Sequence, residues 1–417
     1  MTKSDNTPNR RTVLRLAGSG FAATSLAGCL SGGGNDSDSV YIGATLPTSG
    51  PFGAVGQNIK QAMELGVKHA NQNGDAAGRD VEITFKDTQT DPQRGSQIAQ
   101  SLIQNENVDM LAGSFSNSVA LSITEIAARN DLIYVNLGGG NTTTGEECRP
   151  NMFVSATNAV QQSSGSLGYV LSEGLGDSVY AISSDYSWGQ DHKTWDESVL
   201  APENDAEFVG NSWTEVGQGD FSQPITDAQQ SGADVIVFNQ AAGDHIQSAQ
   251  QANEFGLFEN HVCVWPATGI TEAGQIGQDV ISKDNFYAGA VWYWERETPA
   301  ATEFTEAYRS EYDELPYGFS ACMYAGTRTA LRAVGNAETV EMDPVRKELE
   351  GMELFPQLWG TGERFRACDH AATVPTLTVT GRDPSEVDGQ NHFEVVNAPQ
   401  NVEETQMRDC SETGCEL

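Results

Sequence analysis

Basic residues are scarce in this chain. It has 23 Lys and Arg residues against 58 Asp and Glu residues among 417, so its formal charge is −35. Nucleic-acid binding proteins need a basic face, and basic segments are also what anionic lipid attracts. The composition therefore excludes a nucleic-acid partner and argues against direct adhesion to lipid. Such an acidic excess is typical of halophilic proteins, whose carboxylates hold water and ions while strong salt screens their repulsion.

The sequence also lacks the short motifs that mark catalytic and cofactor sites. GxGxxG, Walker, HExxH and GxSxG patterns are absent, and none of the six histidines pairs with another at metal-ligand spacing. The glycine run Gly138-Gly139-Gly140 follows a predicted strand but lacks the lysine of a phosphate-binding loop. Cys368-Asp369-His370 is a candidate metal or thiol site, but catalytic partners normally lie far apart in sequence, so we predict a structural loop. We expect no catalytic residue, no metal and no cofactor.

The apolar run near the start is too short to span a bilayer comfortably, which takes about 20 residues. It covers residues 16–30, follows Arg10-Arg11 and ends in Leu26-Ala27-Gly28-Cys29 before a stretch rich in Ser, Gly, Asn and Asp. This order indicates a cleaved signal, the arginine pair indicates the twin-arginine export route, and the end resembles a lipobox. We predict a signal over residues 1–28 and a lipidated Cys29 that opens a flexible tether over residues 29–39. The alternatives are a poor transmembrane helix and an incidental cysteine.

Six further cysteines remain, and none forms a CxxC pair. They are Cys148, Cys263, Cys322, Cys368, Cys410 and Cys415. An even count in an exported protein allows disulfides, but the sequence leaves their connectivity open. Cys410 and Cys415 are close enough in sequence to close a small loop. Cys322 lies in an apolar, helix-like stretch and is a candidate for a buried free thiol.

Strand and helix patterns alternate along the chain in two runs. The first opens with a predicted strand over 40–47 and a helix with apolar residues at helical spacing, and Asp91-Pro92 indicates the start of another helix. The rhythm restarts after Arg149-Pro150, where the predicted strands include one over 285–294. Repeated β-α units imply parallel sheets with helices on both faces. The fold class is therefore α/β, with two doubly wound, Rossmann-like lobes and a ligand cleft between them.

Polar and glycine-rich loops follow the predicted strands, where such sheets bind ligands. Ser116, Asn117 and Ser118 lie at a predicted helix start, whose free N–H groups favour a carboxylate, although ordinary helix capping explains the same residues. Gly138, Gly139 and Asn141 form a second loop that allows close approach of a ligand. Tyr186 and Trp188 lie on a strand-end loop of the second run and suit an apolar-plus-polar pocket. These eight residues are our candidate ligand-binding set.

The order and spacing of several segments resemble the type I periplasmic binding proteins of ABC importers, in the branched-chain amino acid, amide and urea branch. The segments are the opening YIGATLPTSGPFGAVGQNIKQAMELGVKHANQNG, then KDTQTDPQ, the serine-bearing helix start, Pro150-Asn151-Met152-Phe153 and SSDYSWGQ. The resemblance covers residues 40–383. It implies that the loops at Ser116–Ser118 and Gly138–Asn141 hold the ligand's polar groups and that Trp188 closes over the ligand from the second lobe.

The same resemblance implies three crossovers between lobes, near residues 152–155, 289–292 and 375–380. Lobe I then comprises residues 40–152 and 291–375, lobe II comprises 153–290 and 376–400, and an acidic tail follows over 401–417. The chain departs from the amino-acid binders of the branch at two loops. It has Gln240-Ala241-Ala242 where they have an aromatic residue, and Pro266-Ala267-Thr268 where they have a glutamate for the ammonium group. These departures favour an amide, urea, carboxylate or aromatic acid over a branched-chain amino acid.

We therefore predict a monomeric solute-binding receptor of an ABC importer and not an enzyme. It captures a small polar ligand such as an amino acid, amide, urea or small carboxylate, and delivers it to a permease that works with an ATPase. We expect it on the extracellular face of the cytoplasmic membrane, held by the lipid on Cys29 after twin-arginine export. The alternatives from other classes are an exported α/β hydrolase, which needs an activated nucleophile that the sequence does not show, and a ligand-sensing domain.

Overall fold

Twelve strands form two sheets in the structure, which is a computed structural model that describes residues 39–417. The predicted signal, Cys29 and the predicted tether up to residue 38 lie outside the described residues. The strands are β1 (Val40–Leu46), β2 (Val81–Asp87), β3 (Met110–Gly113), β4 (Tyr134–Asn136), β5 (Met152–Val154), β6 (Ser178–Ser184), β7 (Glu207–Thr214), β8 (Val235–Asn239), β9 (Val262–Thr268), β10 (Phe286–Ala290), β11 (Leu377–Gly381) and β12 (Phe393–Asn397).

Helices connect most of these strands. They are α1 (Gly53–Asn73), α2 (Pro92–Asn105), α3 (Asn117–Arg129), α4 (Ala159–Gly165), α5 (Leu167–Ser172), α6 (Ser187–Trp195), α7 (Ala201–Glu203), α8 (Ser222–Ser231), α9 (Gly243–Glu254), α10 (Ile270–Ile276), α11 (Gln278–Ile281), α12 (Pro299–Tyr312), α13 (Gly318–Ala337), α14 (Met342–Leu349) and α15 (Val402–Thr405). Within the described residues, none is long and apolar enough to cross a membrane.

The first sheet is parallel and has the order β2-β1-β3-β4-β5. The second has the order β12-β11-β10-β9-β8-β6-β7, parallel from β7 to β10 and antiparallel at β11 and β12. We call the first sheet with its helices lobe I and the second lobe II. The α/β class with two doubly wound lobes, predicted from the alternating pattern, is confirmed.

The chain passes between the lobes three times. It leaves the first sheet after β5, and after β10 it returns to α12, α13 and α14, whose buried side chains join the core of lobe I. It then enters the second sheet again at β11. In α13, 17 of the 20 residues are buried, because the helix packs against α1 and the first sheet.

Local signals explain why several elements begin where they do. The Asp91 carboxylate accepts a hydrogen bond from the Arg94 N–H at 2.7 Å, and Pro92 occupies the first turn of α2, as the sequence predicts. All five residues of β8 are buried, because this strand lies inside the sheet with helices on both faces.

The strand predicted over residues 285–294 is shorter in the structure, where β10 ends at Ala290. Ala290 pairs with Thr268, the last residue of β9, so no partner continues beyond it on that side. Val291 and Trp292 are nevertheless buried, because they cross to the core of lobe I. The apolar pattern correctly indicated that Val291 and Trp292 are buried, but the prediction of a longer strand was wrong.

Two disulfides fasten the last residues of the chain to lobe I. Cys148 pairs with Cys415, and Cys368 pairs with Cys410. The small loop that Cys410 and Cys415 could close is not formed, because each of them pairs with a cysteine that is distant in sequence. Cys322 is a buried free thiol, as predicted.

Candidate ligand-binding site

A small cavity of about 20 Å³ lies between the two lobes, at the carboxyl ends of their parallel strands. Its wall is formed by Phe115, Asn117, Leu137, Gly139, Gln162, Tyr186, Trp188, Ala241, Ala267, Tyr317 and Phe319. Loops after β3 and β4 supply the lobe I side, together with the start of α13. The start of α6, the loop after β8, the end of β9 and helix α4 supply the lobe II side. Trp188 was predicted in a loop but lies in the first turn of α6, directly after Tyr186 and Ser187. The cavity therefore occupies the cleft that the strand order predicts.

The polar side of the cavity is the start of α3. No side chain caps this helix at Ser116, so the N–H groups of its first turn have no capping partner among the described residues. Asn117 lies on the cavity wall, and its carboxamide oxygen accepts a hydrogen bond from the Gly140 N–H at 3.1 Å. A helix start of this kind favours a negatively charged or carbonyl group.

Trp188 forms part of the opposite wall and is held by a buried hydrogen-bond chain. Its indole N–H donates to Oε1 of Gln162 at 3.0 Å, and Nε2 of His192 lies 3.0 Å from the same oxygen. Gln162 donates through its own Nε2 to Thr157, so its Oε1 is an acceptor and His192 must donate from Nε2. Nδ1 of His192 then accepts from the Ser163 hydroxyl at 2.7 Å.

This chain of contacts fixes the position of the indole ring. Burial lowers the pKa of His192 to about 3, so the imidazole is neutral at physiological pH and keeps the tautomer that Gln162 requires. Trp188 is 6% exposed, and its ring also packs against Tyr186, with centroids 6.1 Å apart. The face that meets the cavity is therefore rigid and apolar.

Further aromatic side chains surround the cavity. Phe115 packs edge-on against Phe319, with centroids 5.0 Å apart, and Phe319 packs against Tyr317 at 5.6 Å. Burial, together with the nearby Asp244 and Asp191 carboxylates, raises the pKa of the Tyr186 hydroxyl, so this group stays neutral. The described wall thus combines flat apolar surfaces with the amides of two side chains and carries no charged side chain.

Hydrogen bonds join the lobes around the cavity. Asn117 Nδ2 donates to the Ser187 hydroxyl at 3.0 Å, and the Ser118 hydroxyl lies 3.0 Å from the same oxygen. The Tyr317 hydroxyl donates to Oε1 of Glu272 at 3.0 Å, and burial raises the pKa of Glu272 to about 7. These contacts connect α3 to α6 and α13 to α10, so the structure is a closed arrangement of the lobes.

Asn141 makes another contact between the lobes. Its backbone N–H donates to the Asp191 carboxylate at 2.7 Å, and its side-chain oxygen accepts from the Val160 N–H at 3.0 Å. Burial raises the pKa of Asp191 to about 6, while the hydrogen bond from Asn141 opposes that rise. Asn141 therefore orients the closing surfaces and does not line the cavity.

The structure brings the eight candidate residues together around the cleft but gives them different positions. Asn117, Gly139, Tyr186 and Trp188 line the cavity, whereas Ser116, Ser118, Gly138 and Asn141 lie next to it. A Cβ atom on Gly138 would lie 2.5 Å from that of Ala120, so packing against α3 already requires a glycine there.

Several wall residues were not in the candidate set. They are Phe115, Leu137, Gln162, Ala241, Ala267, Tyr317 and Phe319. Ala241 and Ala267 lie in the two segments where the sequence departs from the amino-acid binders, and the structure places both on the wall. The second segment was predicted as a loop, which is wrong, because Pro266, Ala267 and Thr268 belong to β9. Gln162, Tyr317 and Phe319 come from helices whose patterns indicate only burial.

The triplet at Cys368, Asp369 and His370 lies away from the cavity. Cys368 is in a disulfide, Asp369 is paired with the buried guanidinium of Arg366, and His370 stacks on Phe153 with centroids 3.9 Å apart. No cluster of three or more His, Cys, Asp or Glu residues among residues 39–417 is arranged to hold a metal ion.

Known proteins share both this sequence pattern and this fold. A family model described as periplasmic binding protein matches residues 39–383. The Leu/Ile/Val-binding protein homolog 7 of Brucella melitensis biotype 1 is 26% identical over 350 residues, which are 80% of this chain and 86% of that protein. An amino acid ABC transporter substrate-binding protein from Pseudomonas fluorescens Pf-5 superposes with a TM-score of 0.82 at 20% identity, covering 91% of this chain and 99% of that one.

A third similar structure contains a ligand. It is the solute-binding protein of an ABC transporter from Rhodopseudomonas palustris BisB5 in complex with 3,4-dihydroxy benzoic acid, with a TM-score of 0.72 and 18% identity over 86% of this chain and 96% of that one. The family match covers most of the chain, so this protein belongs to the periplasmic binding protein family. It is a solute-binding receptor of the ABC transporter type and not an enzyme, and the predicted resemblance is confirmed.

Proposed function

We propose that the receptor captures a small molecule with an anionic or carbonyl end and a compact, flat apolar body in the cavity between its lobes. The supporting observation is the pairing of an uncapped helix start at Asn117 with the rigid indole face of Trp188 on the opposite wall. A ligand that contacts both lobes favours their closed arrangement.

The character of the wall argues for particular ligand classes. A buried ammonium group without a partner costs several kcal/mol, and Ala267 stands where a glutamate would receive it. Leucine should therefore bind poorly, whereas small carboxylates, aromatic acids, amides and urea suit the wall better. The Brucella relative is named for leucine, isoleucine and valine, and the Pseudomonas structure is named for amino acids. The Rhodopseudomonas protein is in complex with 3,4-dihydroxy benzoic acid. These names indicate that the fold accommodates both amino acids and aromatic acids.

A thermal-shift screen followed by calorimetry tests this proposal. The compounds are benzoate, acetate, acetamide, urea and leucine, each titrated into the purified protein. We expect a saturable rise in melting temperature with a carboxylate or amide, and at most a small rise with leucine. Submicromolar binding of leucine, or no binding of any carboxylate or amide, would contradict the proposed ligand class.

We further propose that the receptor works as a monomer tethered to the extracellular face of the cytoplasmic membrane through a lipid on Cys29. The support is the order of the arginine pair, apolar run, lipobox-like end and polar stretch in the sequence. A Gly- and Ser-rich linker of about nine residues reaches roughly 15–18 Å, a length that suits a receptor that must meet a permease. The acidic charge then suits a protein that works in concentrated salt.

A further inference from the structure

A second cavity adjoins the first. It has a volume of about 270 Å³, is partly open to solvent, and lies between the β1–α1 loop of lobe I and the loops before α8 and α9 of lobe II. Its wall is formed by Pro51, Phe52, Val216, Gly217, Gly219, Ala241, Gly243, Asp244, Ile246, Gln247 and Gln275. Ala241 belongs to both walls, so the two cavities adjoin at this residue.

Asp244 is the only charged side chain among the described residues that line either cavity. It lies in the first turn of α9 and is 6% exposed. Its Oδ2 accepts a hydrogen bond from the Gly217 N–H at 2.8 Å, which orders the loop before α8. Within the part of the chain that the structure describes, Oδ1 has no hydrogen-bond partner.

No cation compensates this carboxylate. Burial raises its pKa, the Gly217 N–H opposes that rise, and no Lys, Arg or His of the described chain contributes. Burying a carboxylate without a cationic partner is unfavourable, which makes Asp244 a candidate for a functional group. The field of Asp244 also reaches the first cavity, because it raises the pKa of Tyr186 on that cavity's wall.

We propose that Oδ1 of Asp244 binds a positively charged nitrogen of the ligand, whose anionic or carbonyl end lies at Asn117. The inference rests on the proposed function, because it uses the same cleft and adds a second anchoring point. It assigns the ligand to a class that carries both groups on one molecule, joined by an apolar body that lies among the aromatic side chains.

The two groups must be separated along the ligand. Asn117 lines only the first cavity and Asp244 only the second, with Ala241 between them. In an α-amino acid the ammonium and the carboxylate share one carbon, which suits two anchoring groups on different walls poorly. An amine at the far end of the molecule can reach them, which distinguishes this class from leucine and its relatives.

Isomeric probes test the separation. The flexible set is ω-aminovalerate, its isomer norvaline, and valerate, which lacks the amine. The aromatic set is para-aminomethylbenzoate, its isomer phenylglycine, and para-toluate. In at least one set, we expect the ω-amine to bind the wild-type protein at least about tenfold more tightly than its α-amino isomer and than the compound without the amine. A tenfold difference in Kd corresponds to about 1.4 kcal/mol. The inference is overturned if no ω-amine binds, or if neither exceeds its partners.

Asp244→Asn provides the decisive variant, because an asparagine oxygen can still accept the hydrogen bond from Gly217 and only the charge is lost. The advantage of the ω-amine should disappear in this variant while valerate or para-toluate binds as before. Asp185→Asn is the matched control, since Asp185 is exposed, pairs with Gln190 at 2.9 Å and lines neither cavity. Retention of the full advantage in Asp244→Asn would also overturn the inference.

The same titrations separate this inference from the proposed function. If the carboxylates bind and the ω-amines show no advantage, only the role of Asp244 fails. If an ω-amine binds with its advantage intact in Asp244→Asn, the cleft binds ligands but recognises the amine elsewhere. If no carboxylate, amide or ω-amine binds at all, both proposals fail.

Discussion

Replacing Trp188 with alanine should weaken ligand binding strongly, because the indole supplies the rigid wall opposite Asn117. The substitution removes a ring that is 6% exposed, together with its hydrogen bond to Gln162. It leaves Gln162 paired with His192, so no buried acceptor loses its last partner. The main loss is therefore the apolar contact with the ligand.

The size of the effect follows from that contact. Aromatic residues that anchor a binding site typically cost about 2 kcal/mol or more when truncated to alanine. Since about 1.4 kcal/mol corresponds to a factor of ten, we expect Kd to rise by about 30-fold or more. Trp188→Phe keeps a smaller aromatic face and loses the N–H donor, so its Kd should rise by less than about tenfold.

Calorimetry with the best ligand from the screen measures both variants. Replacing a buried tryptophan with alanine also costs about 3–5 kcal/mol of stability, so circular dichroism must first show that Trp188→Ala is folded at the assay temperature. If folded Trp188→Ala binds the ligand with unchanged affinity, the ligand does not contact this wall and the site assignment is wrong.

Three further outcomes test other parts of the account. The melting temperature should rise between about 0.1 M and about 3 M KCl, because salt screens the repulsion behind the charge of −35, and an unchanged value contradicts this reasoning. Cys29→Ser should release the protein into the medium or leave an uncleaved precursor, and a processed protein that stays on the membrane argues against lipid anchoring. Burial raises the pKa of Asp196 from its usual value of 3.8 to about 7, so the native state binds this proton more tightly than the unfolded chain. Stability should therefore fall as pH rises from about 4 to about 7, and Asp196→Asn should reduce that fall by up to about 4 kcal/mol in urea titrations, whereas an identical slope would show that Asp196 does not titrate in this window.

Local signals were sufficient to predict much of the fold. The Asp91-Pro92 pair indicated the start of α2, and Ser116 with Asn117 indicated the start of α3, because caps and first-turn residues act within a few positions of themselves. The strand ends were placed well enough for the cleft to be expected between the lobes. Asn117, Gly139, Tyr186 and Trp188 were placed at the cleft in this way, since each lies within four residues of a strand end.

Long-range packing explains what the sequence did not reveal. Gln162 lies in a helix that begins after the first crossover, and only the tertiary structure places its carboxamide beside Trp188. Tyr317 reaches the same cavity from the lobe I return, far along the chain. The disulfide partner of Cys410 is 42 residues away, although Cys415 is nearer in sequence, because proximity along the chain does not determine proximity in the fold.

The central claim is that the cleft holds one small molecule without changing it. Mass spectrometry of the compound released by denaturing a calorimetrically saturated complex tests this most directly. The account predicts one molecule per chain, with the mass of the compound that was added, and loss of this stoichiometric binding in folded Trp188→Ala at the same ligand concentration, set at a few times the wild-type Kd. Recovery of a compound of altered mass, or the same stoichiometry in both proteins, would contradict it.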